Sequence, residues 1–149
     1  MEKTLVLIKP DAMQRGFAGE ILARLEKRGL RIVAMKLIQI GDELARQHYS
    51  EHEGKPFYAG LIDYITSSPV VAVVFEGTNA VLAVRATVGS TNPVEAAVGS
   101  IRGDLGLEMG RNLVHASDSV ESGIRESSIF FEENEIHAWK RSIDTWVFE

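Results

Sequence analysis

Four apolar runs of strand length, separated by segments with helical apolar spacing, follow the order β-α-β-α-α-β-α-loop-β-α. Two βαβ-like halves in that order predict an α+β fold, a ferredoxin-like four-stranded antiparallel sheet with helices packed on its faces. A doubly wound parallel sheet is the alternative for the same order. At 149 residues, with 45% hydrophobic and 25% charged residues, residues 1–149 are expected to form a single globular domain with a full core.

Each element has a local reason. Thr4-Leu5-Val6-Leu7-Ile8-Lys9 is a continuous apolar run closed by Pro10, the pattern of a central strand buried on both faces, with Lys9 at its exit. After the Arg15-Gly16 break, Phe17, Ile21, Leu22 and Leu25 recur at helical spacing; Lys27 and Arg28 make a cationic last turn and Gly29 the stop. Leu30 to Ile40 is rich in Ile, Val and Leu and reads as a second strand. Asp42 caps a helix through Leu44, Ala45 and His48, and Pro56 suits the first turn of another carrying Phe57, Leu61, Ile62 and Ile65. Val70 to Phe75, opened by Ser68-Pro69 and closed by Gly77, is the clearest strand. Asn79 caps a helix with Val81, Leu82, Val84 and Val88 on its apolar side.

From Gly89 to Gly110 periodicity is lost, and Ile101, Leu105 and Leu107 mark the segment as a packed loop. Loops of that length in a compact domain are commonly functional. Leu113-Val114 ends a fourth strand, which places His115 directly after it. Asp118-Ser119-Val120-Glu121 fits a capping box ahead of a helix carrying Val120, Ile124 and Ile129. The tail from Ile136 to Glu149, with Trp139 and Trp146, reads as a wrap over the surface or a neighbouring subunit.

Composition excludes several chemistries. There is no cysteine, hence no disulfide, thiolate nucleophile or Cys-ligated metal. No apolar stretch reaches membrane-spanning length, and no basic region precedes a long apolar run at the N-terminus; a cytoplasmic location is the default expectation. A net charge of −5 argues against broad binding to nucleic-acid backbones. Between Ala80 and Ala116, however, Arg85, Arg102 and Arg111 balance Glu95, Asp104 and Glu108, consistent with a local anion site on an acidic body.

His115, an imidazole fixed by strand backbone and facing a loop, is the candidate nucleophile; capping the next helix is its plainer alternative. The chain has no Gly-x-x-x-x-Gly-Lys-Ser/Thr loop and no His-Arg-Asp triad. Phosphates would therefore be held by cations and polar groups at element ends: Lys9, Arg85, Thr91, Arg102 and Asn112. Taken singly, each arginine reads first as a solvated surface group. Phe57 offers a ring face to a nucleobase, Met109 an adaptable apolar wall, and Glu126 a carboxylate to orient His115. Helix packing is the alternative for Phe57, and an ordinary exposed carboxylate for Glu126.

His48-Tyr49-Ser50-Glu51-His52 matches the inverted zincin pattern, in which two histidines on one helix face bind zinc and the glutamate acts as base. Gly54 and Pro56 end the helix almost at once, and no third ligand is evident downstream. Surface histidines are the competing reading.

Together these residues closely resemble the nucleoside diphosphate kinase family over nearly the whole chain. The resemblance runs through Lys9-Pro10-Asp11, Arg15-Gly16, His52, Lys55-Pro56-Phe57-Tyr58 and Thr91-Asn92-Pro93. It continues through Gly99-Ser100-Ile101-Arg102-Gly103-Asp104 and ends at Asn112-Leu113-Val114-His115-Ala116-Ser117-Asp118-Ser119. It implies ping-pong transfer of the γ-phosphate of a nucleoside triphosphate, typically ATP, to a nucleoside diphosphate through phosphohistidine at His115. His115 would attack through Nδ1, with Glu126 holding the other ring nitrogen. Lys9 and Asn112 would hold the sugar hydroxyls, and Arg85, Thr91 and Arg102 the phosphates; Tyr49 matches a further nucleotide-site position. Phe57 would stack on the base opposite Met109.

The resemblance also implies Mg2+ bridging the phosphates and held mainly by them, with few protein ligands. Nucleoside di- and triphosphates are the implied partners, with no membrane or nucleic acid required. The tail Trp146-Val147-Phe148-Glu149 resembles that of hexameric members, which favours a homohexamer over a tetramer. Ala116 departs from the glycine commonest in the family at that position. A positive φ there would strain alanine; a packing role for glycine would admit one methyl. A catalytically silent relative on the same fold is the competing class, opposed by the full set of matched ligands.

Overall fold

The computed structural model describes residues 1–149 and contains a four-stranded sheet in the order β2-β3-β1-β4, every neighbouring pair antiparallel. The strands are β1 (Glu2–Ile8), β2 (Arg31–Ile38), β3 (Val70–Gly77) and β4 (Val114–Ala116). The helices are α1 (Pro10–Gln14), α2 (Ala18–Lys27), α3 (Asp42–His48), α4 (Tyr58–Ile65), α5 (Ala80–Val88), α6 (Ile101–Leu105) and α7 (Val120–Phe130). Interleaving of the two βαβ halves produces the expected ferredoxin-like α+β arrangement and excludes the parallel alternative. No helix is long and apolar enough to cross a membrane.

Side chains alternate across the central strands, so the sheet carries a core on each face. Val6 and Ile8 of β1, with Val73 and Phe75 of β3, pack against Ile21 and Leu25 of α2 and Val84 of α5. Leu5, Leu7, Ala72 and Val74 face the other way, onto Ala45 of α3, Ile62 of α4 and Phe130 of α7. The double burial of β1 is what its unbroken apolar run requires. α7 lies close against β1 because Gly123 has no side chain: a Cβ there would sit 2.5 Å from the Lys3 carbonyl oxygen. That close approach sets where α7 places Glu126.

At the sheet edge, a β-bulge between Ile32 and Ala34 in β2 turns both Val33 and Ala34 inward. The C-terminal tail covers this irregularity. The His137 amide donates to the Val33 carbonyl at 2.8 Å, and Trp139 Nε1 donates to the Ile32 carbonyl at 2.8 Å. Farther on, Arg141 donates to the Gly29 and Leu30 carbonyls, and Arg31 is ion-paired with Glu76 and Asp144. The tail thus wraps its own chain, while Trp146 stays 89% exposed.

Several local expectations are corrected. His115 lies inside β4, opposite Leu7, because Leu113 belongs to the turn before the strand. Ser119, one residue later than expected, caps α7 by accepting from the Ser122 amide at 3.0 Å. The buried face of α7 is Gly123, Glu126, Ser127 and Phe130; Val120 and Ile124 are exposed. Leu82 and Leu107 are likewise exposed, whereas Ile101 is buried in α6, a short helix inside the expected loop. Asn79 and Asp42 make no side-chain caps; Glu2 instead accepts from the Val81 amide at the start of α5. Pro56 precedes α4, which starts at Tyr58.

Candidate active site

The site begins with a strained turn. The Val114 amide donates to the Asn112 carbonyl at 2.8 Å across Leu113, whose φ is +74°. This is a γ-turn with a buried leucine in a conformation L side chains rarely adopt. Surrounding hydrogen bonds over-determine it. The Lys9 amide donates to the Leu113 carbonyl at 2.9 Å, and the Leu113 amide donates to Asp11 Oδ2 at 3.1 Å. The Tyr64 hydroxyl donates to Asp11 Oδ1, locking the carboxylate in place.

The turn delivers Asn112 into a polar bridge. Its Oδ1 accepts from Lys9 Nζ at 2.8 Å and its Nδ2 donates to the Thr91 carbonyl at 2.9 Å. Burial, with Arg102 nearby, pulls the Lys9 ammonium down to about 8 against the opposing pull of Asp11. Arg102 is 6% exposed and ties the long loop to the turn. It donates to the carbonyls of Asn112 at 3.1 Å, Gly89 at 3.0 Å and Val114 at 2.5 Å. Three of its five N–H donors are thereby used and two remain. Burial, then Arg85, lowers it to about 10.

His115 Nε2 lies 3.0 and 2.9 Å from the two carboxylate oxygens of buried Glu126. An ionised carboxylate only accepts, so this pair assigns the ring proton to Nε2 and leaves Nδ1 a free lone pair. The ring of His48 stands edge-on to His115 at 4.6 Å. Tyr49 is buried with its hydroxyl unpartnered, and burial, then Glu126, pushes that hydroxyl up. Ala116 pairs with Val6 in β4 outside the left-handed region, so alanine is unstrained; the positive φ sits three residues earlier, at Leu113.

All of the expected site residues line one cavity of about 690 Å³: Lys9, Tyr49, Phe57, Arg85, Thr91, Arg102, Met109, Asn112, His115 and Glu126. Arg85 and Thr91 are exposed at its wall, and Arg85 donates to the Ala116 carbonyl at 3.3 Å. Phe57 and Met109 are exposed apolar groups on its lining. Asp118 and Ser122 also line it, and a hydrogen bond from Ser122 holds the Asp118 carboxyl below its usual range. Asp118 belongs to the His115 motif and reads in sequence only as a helix cap; Ser122 carries no role there. Asp11 and Tyr64 were missed as supports because their effect runs through the turn backbone.

The zincin geometry is absent. α3 ends at His48, and His52 occupies a separate 3₁₀ turn, Ser50–His52. His48 is buried and faces His115, while His52 lies beside Phe57 at the cavity mouth.

Residues 2–136 match a family model described as nucleoside diphosphate kinase. A protein of that name from Archaeoglobus fulgidus is 56% identical over 149 residues, covering 100% of this chain and 99% of its own. One from Herpetosiphon aurantiacus is also 56% identical, with both chains fully covered. Among solved structures, a halophilic nucleoside diphosphate kinase from Halobacterium salinarum in complex with CDP is similar at TM-score 0.97 and 47% identity, with 99% of each chain covered. A nucleoside diphosphate kinase family protein from Babesia bovis gives TM-score 0.97 at 42% identity, covering 99% of this chain and 100% of its own. Fold, motif and full-length likeness agree, and the chain belongs to the nucleoside diphosphate kinase family.

Proposed function

We propose that this chain transfers the γ-phosphate of a nucleoside triphosphate to a nucleoside diphosphate by a ping-pong reaction through His115, with residues 1–149 acting as one catalytic unit. The observation that carries the reading is the His115–Glu126 pair, at 2.9 Å, opening onto a cavity lined by Lys9, Arg85 and Arg102. The Nδ1 lone pair attacks the γ-phosphorus in line, the bond from phosphorus to the β–γ bridging oxygen breaks, and the diphosphate leaves with that electron pair. Glu126 accepts the Nε2 proton's hydrogen bond and stabilises the ring as it gains positive charge. In the second half-reaction a terminal oxygen of the incoming diphosphate attacks the same phosphorus and the Nδ1–P bond breaks.

Arg85, Arg102 and Thr91 hold the phosphates, and Lys9 with Asn112 holds the sugar hydroxyls. Tyr49 lines the same cavity with its hydroxyl unpartnered and completes the set of polar groups assigned to the nucleotide. Phe57 and Met109 sandwich the base without reading its edges, which gives low base discrimination. The similar halophilic protein is described in complex with CDP, which supports a nucleotide as the ligand of this chain.

Mg2+ fits the donor set. Asp118 is an exposed carboxylate on the cavity lining, held below its usual range, and a hard cation bound mostly by phosphate oxygens and water needs one or two such groups. Held there it would neutralise phosphate charge and orient the nucleotide. A homohexamer is proposed from the likeness of the tail to hexameric members; Met35 and Leu37, exposed on edge strand β2, and Trp146 offer apolar surface for contact between copies. A cytoplasmic setting is part of this proposal.

The test mixes purified chain with γ-labelled ATP and Mg2+. An acid-labile phosphate on the protein is expected, transferable to added diphosphate and lost in His115→Ala with folding intact. Equal labelling of that variant would remove His115 as nucleophile.

A further inference from the structure

The reaction above gives His48 no work, although it is one of the most enclosed polar side chains in the fold. It is 4% exposed, and neither ring nitrogen has a hydrogen-bond partner. The rings of Tyr49, at 4.6 Å, and Phe130, at 5.3 Å, pack around it, and His115 stands 4.6 Å away. Both ring nitrogens are enclosed and unused, so one of them offers a free lone pair. A neutral imidazole with a free lone pair is what a transition metal takes.

One ligand atom each from His48, His115 and Glu126 lie within 4.8 Å of one another, and two of these groups already meet at 2.9 Å. We propose that these three side chains bind a borderline-soft divalent cation, Zn2+, which replaces the proton between His115 Nε2 and Glu126 and takes a His48 ring nitrogen as its third protein ligand. Two imidazoles and one carboxylate form the donor set of open tetrahedral zinc sites, with the fourth position left to water from the cavity. Mg2+ demands oxygen ligands and leaves this pair of imidazoles alone, so the site is chemically separate from phosphate-held magnesium. The sequence offers His48 and His52 as a zinc pair with Glu51 as base; in the fold His48 instead faces His115 and Glu126.

The proton balance has a consequence. A neutral imidazole bound to metal through one nitrogen carries its proton on the other. The Nε2 proton therefore moves to Nδ1 as zinc binds, and the lone pair that would attack phosphorus is gone. Zinc and phosphate would then exclude one another on His115. This exclusion rests on the proposed reaction; the metal site itself does not.

The test uses the full chain without nucleotide. Protein is dialysed against Zn2+ alone and its metal content measured, and Co2+ serves as a spectroscopic probe of coordination. The expected result is about one zinc per chain and the intense visible bands of four-coordinate cobalt. Both are lost in His48→Leu and in Glu126→Gln, each checked for folding by circular dichroism, with His48→Gln replacing any leucine variant that fails to fold. Zinc retained at the wild-type level in both classes of variant, or cobalt bound only in six-coordinate form, overturns the site. Failure of the phosphorylation assay would leave these metal readings unchanged, so the two proposals fail separately.

Discussion

Asp11 and Leu113, 102 residues apart in sequence, are joined by a hydrogen bond of 3.1 Å from the leucine amide to the aspartate carboxylate. The same carboxylate accepts from Tyr64 of α4, so one side chain ties α1, α4 and the strained turn together. The turn aims Asn112 at Lys9 and begins the strand that carries His115. A contact outside the cavity lining therefore governs the placement of Asn112 and His115 on it.

Replacing Asp11 with alanine strands the Leu113 amide and frees the turn. The expected loss of stability is about 1–3 kcal/mol by urea titration. KM for the diphosphate is expected to rise by a larger factor than kcat falls. Tyr64→Phe keeps the ring under Arg111, at 4.5 Å, and removes only the donor, at a cost of about 1 kcal/mol. Equal losses from both variants would show that the Leu113 bond contributes nothing of its own.

Glu126→Gln tests the tautomer. A glutamine NH2 turned toward Nε2 favours the proton on Nδ1 and removes the attacking lone pair. The expected fall in kcat is about a hundredfold with KM little changed. A variant whose rate of phosphohistidine formation equals wild type would mean that the carboxylate is structural.

Lys9 makes opposite predictions for stability and binding. Its ammonium, near 10.5 in an unfolded chain, is lowered to about 8 when folded. Below both values each state is protonated and desolvation opposes folding in full. Between them the unfolded state binds more protons, so this penalty shrinks as pH rises and is gone above both values. Lys9→Met should therefore raise the Tm of the nucleotide-free protein at neutral pH. Binding runs the other way: KM should rise as pH passes about 8, and a Lys9→Gln variant should lack that step. A wild-type KM flat across this range would sink the assignment.

Phe57 is 54% exposed, so truncation leaves the core intact. Phe57→Ala is expected to raise KM about tenfold for purine and pyrimidine nucleotides alike, the scale of one lost stacking contact. A penalty confined to one base class would point to edge recognition instead.

The central strands were legible because burial on both faces leaves no polar position, and Val70 to Phe75 shows that directly. So were the ten expected cavity residues, carried by the family resemblance at motifs such as those around Lys9, Arg102 and His115; Asp118 and Ser122, on the same lining, had no site role in the sequence. Helix faces were less so: Val120, Ile124 and Leu82 are apolar yet exposed, and Glu126 is charged yet buried by its bond to His115. Apolar spacing cannot separate a core stripe from a subunit-facing one. The Leu113 turn left no trace, because leucine gives no sign of a positive φ where glycine would. Gly123 was silent for a related reason, since only the neighbouring strand shows what a methyl would strike.

The Leu113 turn also bears on how the molecule comes to be active. A γ-turn at a non-glycine residue costs on the order of 1–3 kcal/mol and persists only under external restraint. Its restraints come from Lys9 and Asp11 near the N-terminus and from Arg102 in the loop. No single segment can form it alone. During folding, the chain should reach a native-like sheet before the turn closes, so competence to accept phosphate should appear as the last cooperative event. Catalytic onset would then serve as a clock for completed folding, lagging behind the signals of helix and strand formation.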